Sequence, residues 1–417
     1  YTLWHTLSLH DALPIFKGFK DILVWRFSRQ PFKIHSICLL VKKDAQSKLQ
    51  TYDIPFYEIC VSQSKNVLQF SKGEYEIFTP VFVEKNAQNG EIISVNRLIP
   101  ARKKKNVLPC SESEYFDSFY KGAQVFPRTM FFVDVGQENT SSNIITITPS
   151  KFAKAKKNSR WNFLPYDKVD IEKNYIFNIA KSTFLVPFKY IHPILAFLPL
   201  NRNGSARILE DEELENYASS HMRQLDNIYR KNIKKGAVHT SLREIINYQN
   251  CMTNECQLAP LKVVFNGGGS IVKSAIVQGD IIIDYSMFYR AVDNINEAYY
   301  LMGYLNSNPV IESVKLIGST GFHGSLRNIV KHPLDFPWPI FDGDDELHME
   351  IVFISRKIES VVNNLIIDNE YLDNGIIKEG ITRIRIQNAI FKDEKYRELI
   401  GVLDQLVLEI IRKNTSE

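Results

Sequence analysis

An α+β fold is the class that this 417-residue sequence predicts, and three observations predict it. Short apolar runs bounded by turn residues read as strands, apolar positions recur at helical spacing in three stretches, and glycine-rich segments join the two kinds of element. The 44% hydrophobic and 24% charged content is that of an ordinary globular chain. The length allows two or three domains with sizeable cores. The most apolar run, Tyr190 to Leu200, is bounded by Lys189 and Arg202 and is far shorter than the roughly 20 residues a bilayer span needs. Five cysteines (Cys38, Cys60, Cys110, Cys251, Cys256) are odd in number and scattered, which fits a reducing cytoplasm better than a disulfide framework. Cys251 and Cys256, with His239 upstream, come nearest to a zinc set. Their spacing matches no common finger and a fourth ligand is missing, so free thiols and no metal site are expected.

Residues 1–15 have no initiator Met and no apolar core after a positive start, which argues against a signal peptide. Leu7 to Ile15 resembles sequencing-adapter DNA read through in frame. A non-native segment is expected there, with the natural chain continuing upstream, and a native segment of unknown role is the alternative. From Phe16 onward, Ile22 to Trp25 and Ile34 to Val41 are strand-like, separated by turn material at Ser28 to Pro31, with Lys42-Lys43-Asp44 ending the second run. A helix is expected between acidic Glu210 to Glu215 and basic Arg230 to Lys235, a polarity that complements its dipole, with Gly236 as its stop. Leu214, Tyr217, His221, Leu225, Ile228 and Tyr229 recur near helical spacing, so His221 reads as a packed or edge histidine rather than a base. Leu261 to Phe265 and Ser270 to Val277 are strand-like, and Gly267-Gly268-Gly269 between them reads as a hairpin turn.

Ala298, Leu301, Met302 and Leu305 fall at i, i+3, i+4 and i+7 and define one apolar helix face. Asn308 is expected to cap a second helix that opens on Pro309 and continues the apolar face through Val310, Ile311 and Val314 until Gly318. The last stretch, Tyr396 to Arg412, repeats Leu399, Ile400, Leu403, Leu406, Val407 and Ile410 on a helix expected to dock within the chain.

Catalytic patterns are scarce. The chain has no Gly-x-Gly-x-x-Gly turn and no Walker loop. Asp393-Glu394-Lys395 has the tail of a metal-dependent nuclease pattern without a convincing upstream Asp and reads as a solvated helix face. Charge, by contrast, is unevenly spread. Residues 101–160 hold eleven Lys or Arg (Arg102, Lys103, Lys104, Lys105, Lys121, Arg128, Lys151, Lys154, Lys156, Lys157, Arg160) against five acids, a balance of +6 within a chain of net +4. Residues 341–417 carry sixteen acids against ten bases. Clustered cations neutralise phosphates and release counterions, as a DNA-docking face requires, although each run alone also reads as a solvated loop. Trp161, beside Lys156, Lys157 and Arg160, adds a ring able to stack on a base.

Residues 298–340 carry the most specific pattern: Ala298-Tyr299-Tyr300-Leu301-Met302-Gly303-Tyr304-Leu305-Asn306-Ser307, then Gly318-Ser319-Thr320-Gly321-Phe322-His323-Gly324, then Phe336-Pro337-Trp338-Pro339. Upstream stand Tyr120-Lys121-Gly122-Ala123 with Pro127-Arg128 and an aromatic strand from Phe131. Next come Val186-Pro187-Phe188 with Ala196 to Leu200 as a strand pair, and Ile246-Asn247-Tyr248-Gln249 with Val263 to Asn266. In this order the motifs resemble the target-recognition region of adenine-N6 DNA methyltransferases of the restriction-modification type (type IIG, type I-like), over about residues 20–355. The first pattern also resembles type I specificity subunits, which typically repeat the recognition unit; only one Leu-Asn-Ser unit occurs here.

The resemblance implies the end of a class I methyltransferase sheet and connector over residues 16–95, a mixed α/β target-recognition domain over 96–345 and a helical tail over 346–417. It implies double-stranded DNA as partner, further restriction-modification domains or subunits, and S-adenosylmethionine as cofactor of the full-length enzyme. The family's Asn-Pro-Pro-Tyr loop, which holds a flipped adenine, has no counterpart, because the chain contains no Pro-Pro pair. No catalytic or cofactor residue is therefore assigned within this chain. The expected DNA contacts are Lys103, Lys104, Lys105, Lys121, Arg128, Lys154, Lys156, Lys157, Arg160 and Trp161, with base reading by His323, Arg327 and Asn328. Arg327 and Asn328 read equally well as caps of the following strand. The alternatives are a free-standing specificity subunit and a basic scaffold binding RNA or acidic protein.

Overall fold

The computed structural model describes the backbone of the strands between residues 2 and 100, Ala101, and residues 107–136, 143–153, 157–201, 206–320 and 326–415, the side chains of 319, 320, 326 and 327 excepted. Lys103, Lys104, Lys105, Lys154, Lys156 and His323 lie outside the described residues. The chain is α+β with open sheets.

β1 (Thr2–His5), β2 (Phe19–Phe27), β3 (Ile37–Lys43), β4 (Ile54–Ser64), β5 (Val67–Asn86) and β6 (Ile92–Pro100) form a six-stranded sheet in the order β1-β3-β2-β4-β5-β6. The two strand-like runs of the sequence pair as β2 and β3, with Trp25 opposite Cys38. β2 and β4 are parallel and the other pairs antiparallel, so the sheet is mixed.

β7 (Tyr120–Lys121) and α1 (Arg128–Phe131) follow, then β8 (Val133–Val135), β9 (Ile144–Pro149) and β10 (Val169–Glu172), which make a three-stranded antiparallel sheet. The aromatic strand expected from Phe131 begins only at Val133. Pro127, with extended backbone, occupies the N-cap position of the short helix α1 instead, and the Phe132 N–H closes that turn on the Arg128 carbonyl. β11 (Ile176–Ala180), β12 (Leu185–Val186), β13 (Lys189–Tyr190) and β14 (Ile194–Phe197) come next. The Pro-Phe and Leu-Pro segments do not pair with each other. β12 pairs with β13 around Pro187-Phe188, while β14 pairs with β11.

α2 (Asn216–Asn232) starts after the acidic run, not within it. Its exposed first-turn N–H groups are taken by Glu172, buried at the end of β10, whose two carboxylate oxygens accept from Tyr217 and Ala218 at 2.9 Å each. Asp211 and Glu213 are instead tied to Arg243, Arg223 and Arg207. The helix ends at an extended Ile233, and Gly236, at φ 79°, shapes the loop beyond it. His221 sits on the buried face, edge-on to Tyr166 and against Phe197. Neither ring nitrogen has a partner, and burial lowers its pKa from 6.5 to about 4. The unfolded chain therefore takes up this proton first, so the stabilisation is complete above about pH 6.5 and is lost as the pH falls toward 4. Across that window the loss is expected to be about 3 kcal/mol. Urea unfolding of the wild type and of His221→Leu at pH 7 and 4.5 checks it: the variant should lack this part of the pH slope.

α3 (Leu242–Ile246), closed by a Ser241–Glu244 capping box, leads to β15 (Leu261–Asn266), β16 (Ser274–Gln278), β17 (Ile281–Ile283) and β18 (Met287–Ala291). β17 runs parallel to β11, and the others join β7 in a sheet of order β16-β15-β18-β7. This sheet divides two cores. Val264, Ala275, Met287 and Tyr289 face one, which also holds the buried side of α2, and Val263, Phe265 and Phe288 face the other. Successive strand side chains point to opposite faces, so a strand covered on both sides shows a continuous apolar run. The buried Lys262 sits between the carbonyls of Ala259 and Ile281.

The second core is helical. α4 (Ile295–Asn306), α5 (Asn308–Ile317), α6 (Glu346–Asp368), α7 (Arg383–Lys392) and α8 (Glu394–Thr415) build it with Trp338, and the short pairs β19 (Ser319–Thr320) with β20 (Leu326–Asn328) and β21 (Leu372–Asp373) with β22 (Ile376–Ile377) join them in sequence. Ala298, Leu301, Met302 and Leu305 are all fully buried, as their spacing predicts. Asn308 does not cap α5. It is the first helical residue, Ser307 occupies the cap position, and Asp404 of α8 accepts both the Asn308 N–H and its side-chain amide at 2.8 Å. The terminal helix docks within the chain by burying Ile400, Leu403, Leu406, Val407, Ile410 and Ile411 in this core. Among the described residues no helix is long and apolar enough to cross a membrane.

Candidate nucleic-acid interface

The glycine hairpin after β15 is built by one side chain. Asn266, fully buried, donates to the carbonyls of Gly268 and Ile271 and accepts the Lys273 N–H at 2.7 Å, so the loop is closed from within. The Gly267 carbonyl then accepts the N–H groups of Ile329 and Val330, and Gly268 bridges Asn328. The first glycine-rich segment thus lies against the strand that follows the second. Val330 is held there at φ 47°, half exposed, a conformation rare for a β-branched residue.

On the other side, the Gly267 N–H donates to Ser286. Tyr285, 41% exposed, stands next to it and is fixed by its N–H to Ala123. Arg128 donates to the Tyr285 hydroxyl at 3.3 Å, its guanidinium 5.6 Å from the ring centre. Lys121 reaches over Phe288 one strand away. This docking requires Gly122, since an added Cβ would fall into the carbonyl groups of Ile283 and Asp284. Arg128, Tyr285, Ser286, Gly267, Gly268 and Asn328 therefore follow one another along a single surface path.

Beneath it lies Asp284, fully buried, with one oxygen accepting from the Ser286 N–H and the other without a partner. Burial raises its pKa, and Arg128 and Lys181 partly offset that rise. Burial and the nearby Arg128 lower the Lys181 pKa. Sequence reasoning missed Lys181, Tyr285 and Asp284. No local pattern marks them, because only the parallel pairing of β11 with β17 brings residues 180–182 beside 283–286.

The remaining expected contacts are not gathered here. Trp161 is a correction: it is only 7% exposed, stacked on Tyr229 at 5.4 Å and met edge-on by Phe126, so its ring faces the core rather than a base. Arg160 donates to the Asn232 carbonyl, where it satisfies the C-terminal end of α2. Lys157 is exposed. Asn328 is exposed on the path, while the Arg327 side chain lies outside the described residues. Several motif residues prove to be internal. Gly303 lets α4 approach α6 at Ser355 and Ile351, Asn306 pairs with Ser274, and Trp338 stacks on Tyr300 and Tyr304.

No family model matches the chain, and no curated protein matches it. Among solved structures it is similar to the type IIL restriction-modification enzyme MmeI in complex with DNA, at a TM-score of 0.48 and 11% identity over 94% of this chain and 43% of that one. It is also similar to the type IIG restriction endonuclease BpuSI, at a TM-score of 0.32 and 10% identity over 99% of this chain and 47% of that one. The chain spans less than half the length of either.

Proposed function

We propose that this chain is the sequence-reading part of a restriction-modification enzyme that acts on double-stranded DNA. The observation that carries this is the continuous path from Arg128 through Tyr285 and the glycine hairpin to Asn328. Glycines permit close approach of backbone to a groove, Arg128 offers a phosphate contact, Asn328 offers a paired donor and acceptor for an adenine edge, and an exposed Tyr offers a stacking face. Lys103, Lys104, Lys105, Lys121, Lys154, Lys156 and Lys157 supply phosphate contacts, and His323, Arg327 and Asn328 read bases. The longer enzyme is an adenine-N6 methyltransferase that uses S-adenosylmethionine, with residues 16–95 closing its catalytic sheet.

Competition between duplexes of different sequence for the purified chain tests this, at several salt concentrations. Arg128→Ala is expected to weaken binding to all duplexes about equally and to lower the salt slope by roughly one. Arg327→Ala and Asn328→Ala are expected to cost about 1–3 kcal/mol of discrimination at one base pair each while leaving non-specific binding nearly intact. Equal competition by every duplex against the wild-type chain would refute sequence reading.

A further inference from the structure

We propose that α2 is a second DNA-contacting element, whose exposed face enters the major groove of the duplex while cations gathered at its C-terminal end hold the adjoining phosphates. Ser220, Gln224, Asn227 and Lys231 follow one another at helical spacing, and with Arg223 they line one open groove along the helix. The stripe is about 16 Å long, enough to engage a major groove about 12 Å wide. The side chains of Ser220, Gln224 and Asn227 are exposed and bond to nothing among the described residues. Serine and asparagine are poorer helix formers than alanine, glutamate or lysine, so a face that met only water would gain by replacing them. Amides and hydroxyls are the groups that match base edges. Arg223 is oriented for the same use. Its Nε donates to Asp211 at 3.0 Å, and Arg243 holds Asp211 in turn, which leaves both terminal nitrogens of Arg223 unbonded among the described residues.

Charge selects the partner. Lys231, Lys234 and Lys235 are exposed and make no ion pair among the described residues, and Arg160, also exposed, is brought to the same end by its bond to the Asn232 carbonyl. Asp226, the only acid within α2, is taken up by Arg230 and the Leu242 N–H. The acids that line the groove, Asp211 and Glu212, precede the helix and stand at its N-terminal end. Complementing the helix dipole needs cations in the last turn alone. Lys234 and Lys235 lie beyond that turn, and Arg160 comes from another segment. The same end is tied to the Arg128 segment, since Trp161 stacks on Tyr229 of α2 and meets Phe126, two residues before Arg128. An uncompensated cationic end joined to a neutral hydrogen-bonding stripe fits a polyanion that also presents base edges, which is duplex DNA. The inference rests on the DNA-reading proposal and adds a helix to the surface named there.

Duplex competition at several salt concentrations, with thermal unfolding alongside, tests this on the full chain. Lys231→Gln combined with Lys234→Gln is expected to weaken binding to every duplex and to lower the salt slope by roughly two. Gln224→Ala and Asn227→Ala are each expected to reduce discrimination at one base pair roughly tenfold. Their Tm should be unchanged or higher, because alanine is the better helix former; a merely structural role would lower Tm and leave discrimination alone. If all these variants bind and discriminate like a wild type that prefers one sequence, the role of α2 is refuted while the surface from Arg128 to Asn328 stands. If the wild-type chain itself binds every duplex equally, the DNA-reading proposal fails and this one with it. A lowered salt slope with unchanged discrimination refutes entry of the helix into the groove. Equal competition by duplex RNA, whose major groove is too deep and narrow for side chains to read, refutes it as well.

Discussion

Trp338→Ala is expected to destabilise the chain by about 3–5 kcal/mol, the loss usual for a fully buried aromatic residue. Trp338 is 1% exposed, with ring centres 4.2 Å from Tyr304 and 4.8 Å from Tyr300, both in near-parallel stacks. The tyrosines are themselves anchored. Tyr304 donates to the Pro333 carbonyl at 2.6 Å and Tyr300 to that of Pro339 at 3.2 Å. Removing the indole leaves a cavity that these rings, fixed at both ends, are poorly placed to fill. Trp338→Phe should lose markedly less. Urea unfolding followed by circular dichroism measures both. A loss below about 1 kcal/mol for Trp338→Ala would mean that the Phe-Pro-Trp-Pro segment is not the keystone of the helical core.

Asn306→Leu is expected to cost about 2–5 kcal/mol, though the two side chains are close in size. Asn306 is 1% exposed, accepts the Ser274 N–H at 3.0 Å and donates to the Ser274 carbonyl at 2.9 Å, so its amide acts as a short extra strand along β16. A leucine leaves the Ser274 backbone groups buried without those partners, at about 1–3 kcal/mol for each unsatisfied group. Since Ser274 adjoins Lys273 and the glycine hairpin, amide exchange should quicken first in residues 266–274, ahead of global unfolding. Hydrogen–deuterium exchange with mass spectrometry checks this. Unchanged protection there would detach the Leu-Asn-Ser motif from the shape of the hairpin.

These two residues bear on how the sequence pattern should be understood. The ordered segments at 298–307 and 336–339 pack on one another through Tyr304 and Trp338, and Asn306 bonds the first of them to the strand that follows the hairpin. Helix spacing exposes Ala298, Leu301, Met302 and Leu305 as core, and it does so from the sequence alone. Nothing in the sequence distinguishes Trp161 as a core ring from Trp161 as a stacking platform. Its cationic neighbours suggested the second, and Tyr229, nearly seventy positions later, decided the first.

By itself the sequence determined the α+β class, the glycine hairpin between β15 and β16, the buried face of α4 and the terminal helix that docks on the chain. Each rests on side-chain period or on a turn residue, and both are local properties written into a dozen consecutive positions. Helix ends were decided by the tertiary structure, because the groups that cap them are distant. Glu172 caps α2, and Asp404 rather than Asn308 meets the start of α5. The surface from Arg128 to Asn328 was likewise decided there. It joins residues more than a hundred positions apart through strand pairing, whose partners are chosen by the summed burial of whole faces rather than by any residue nearby.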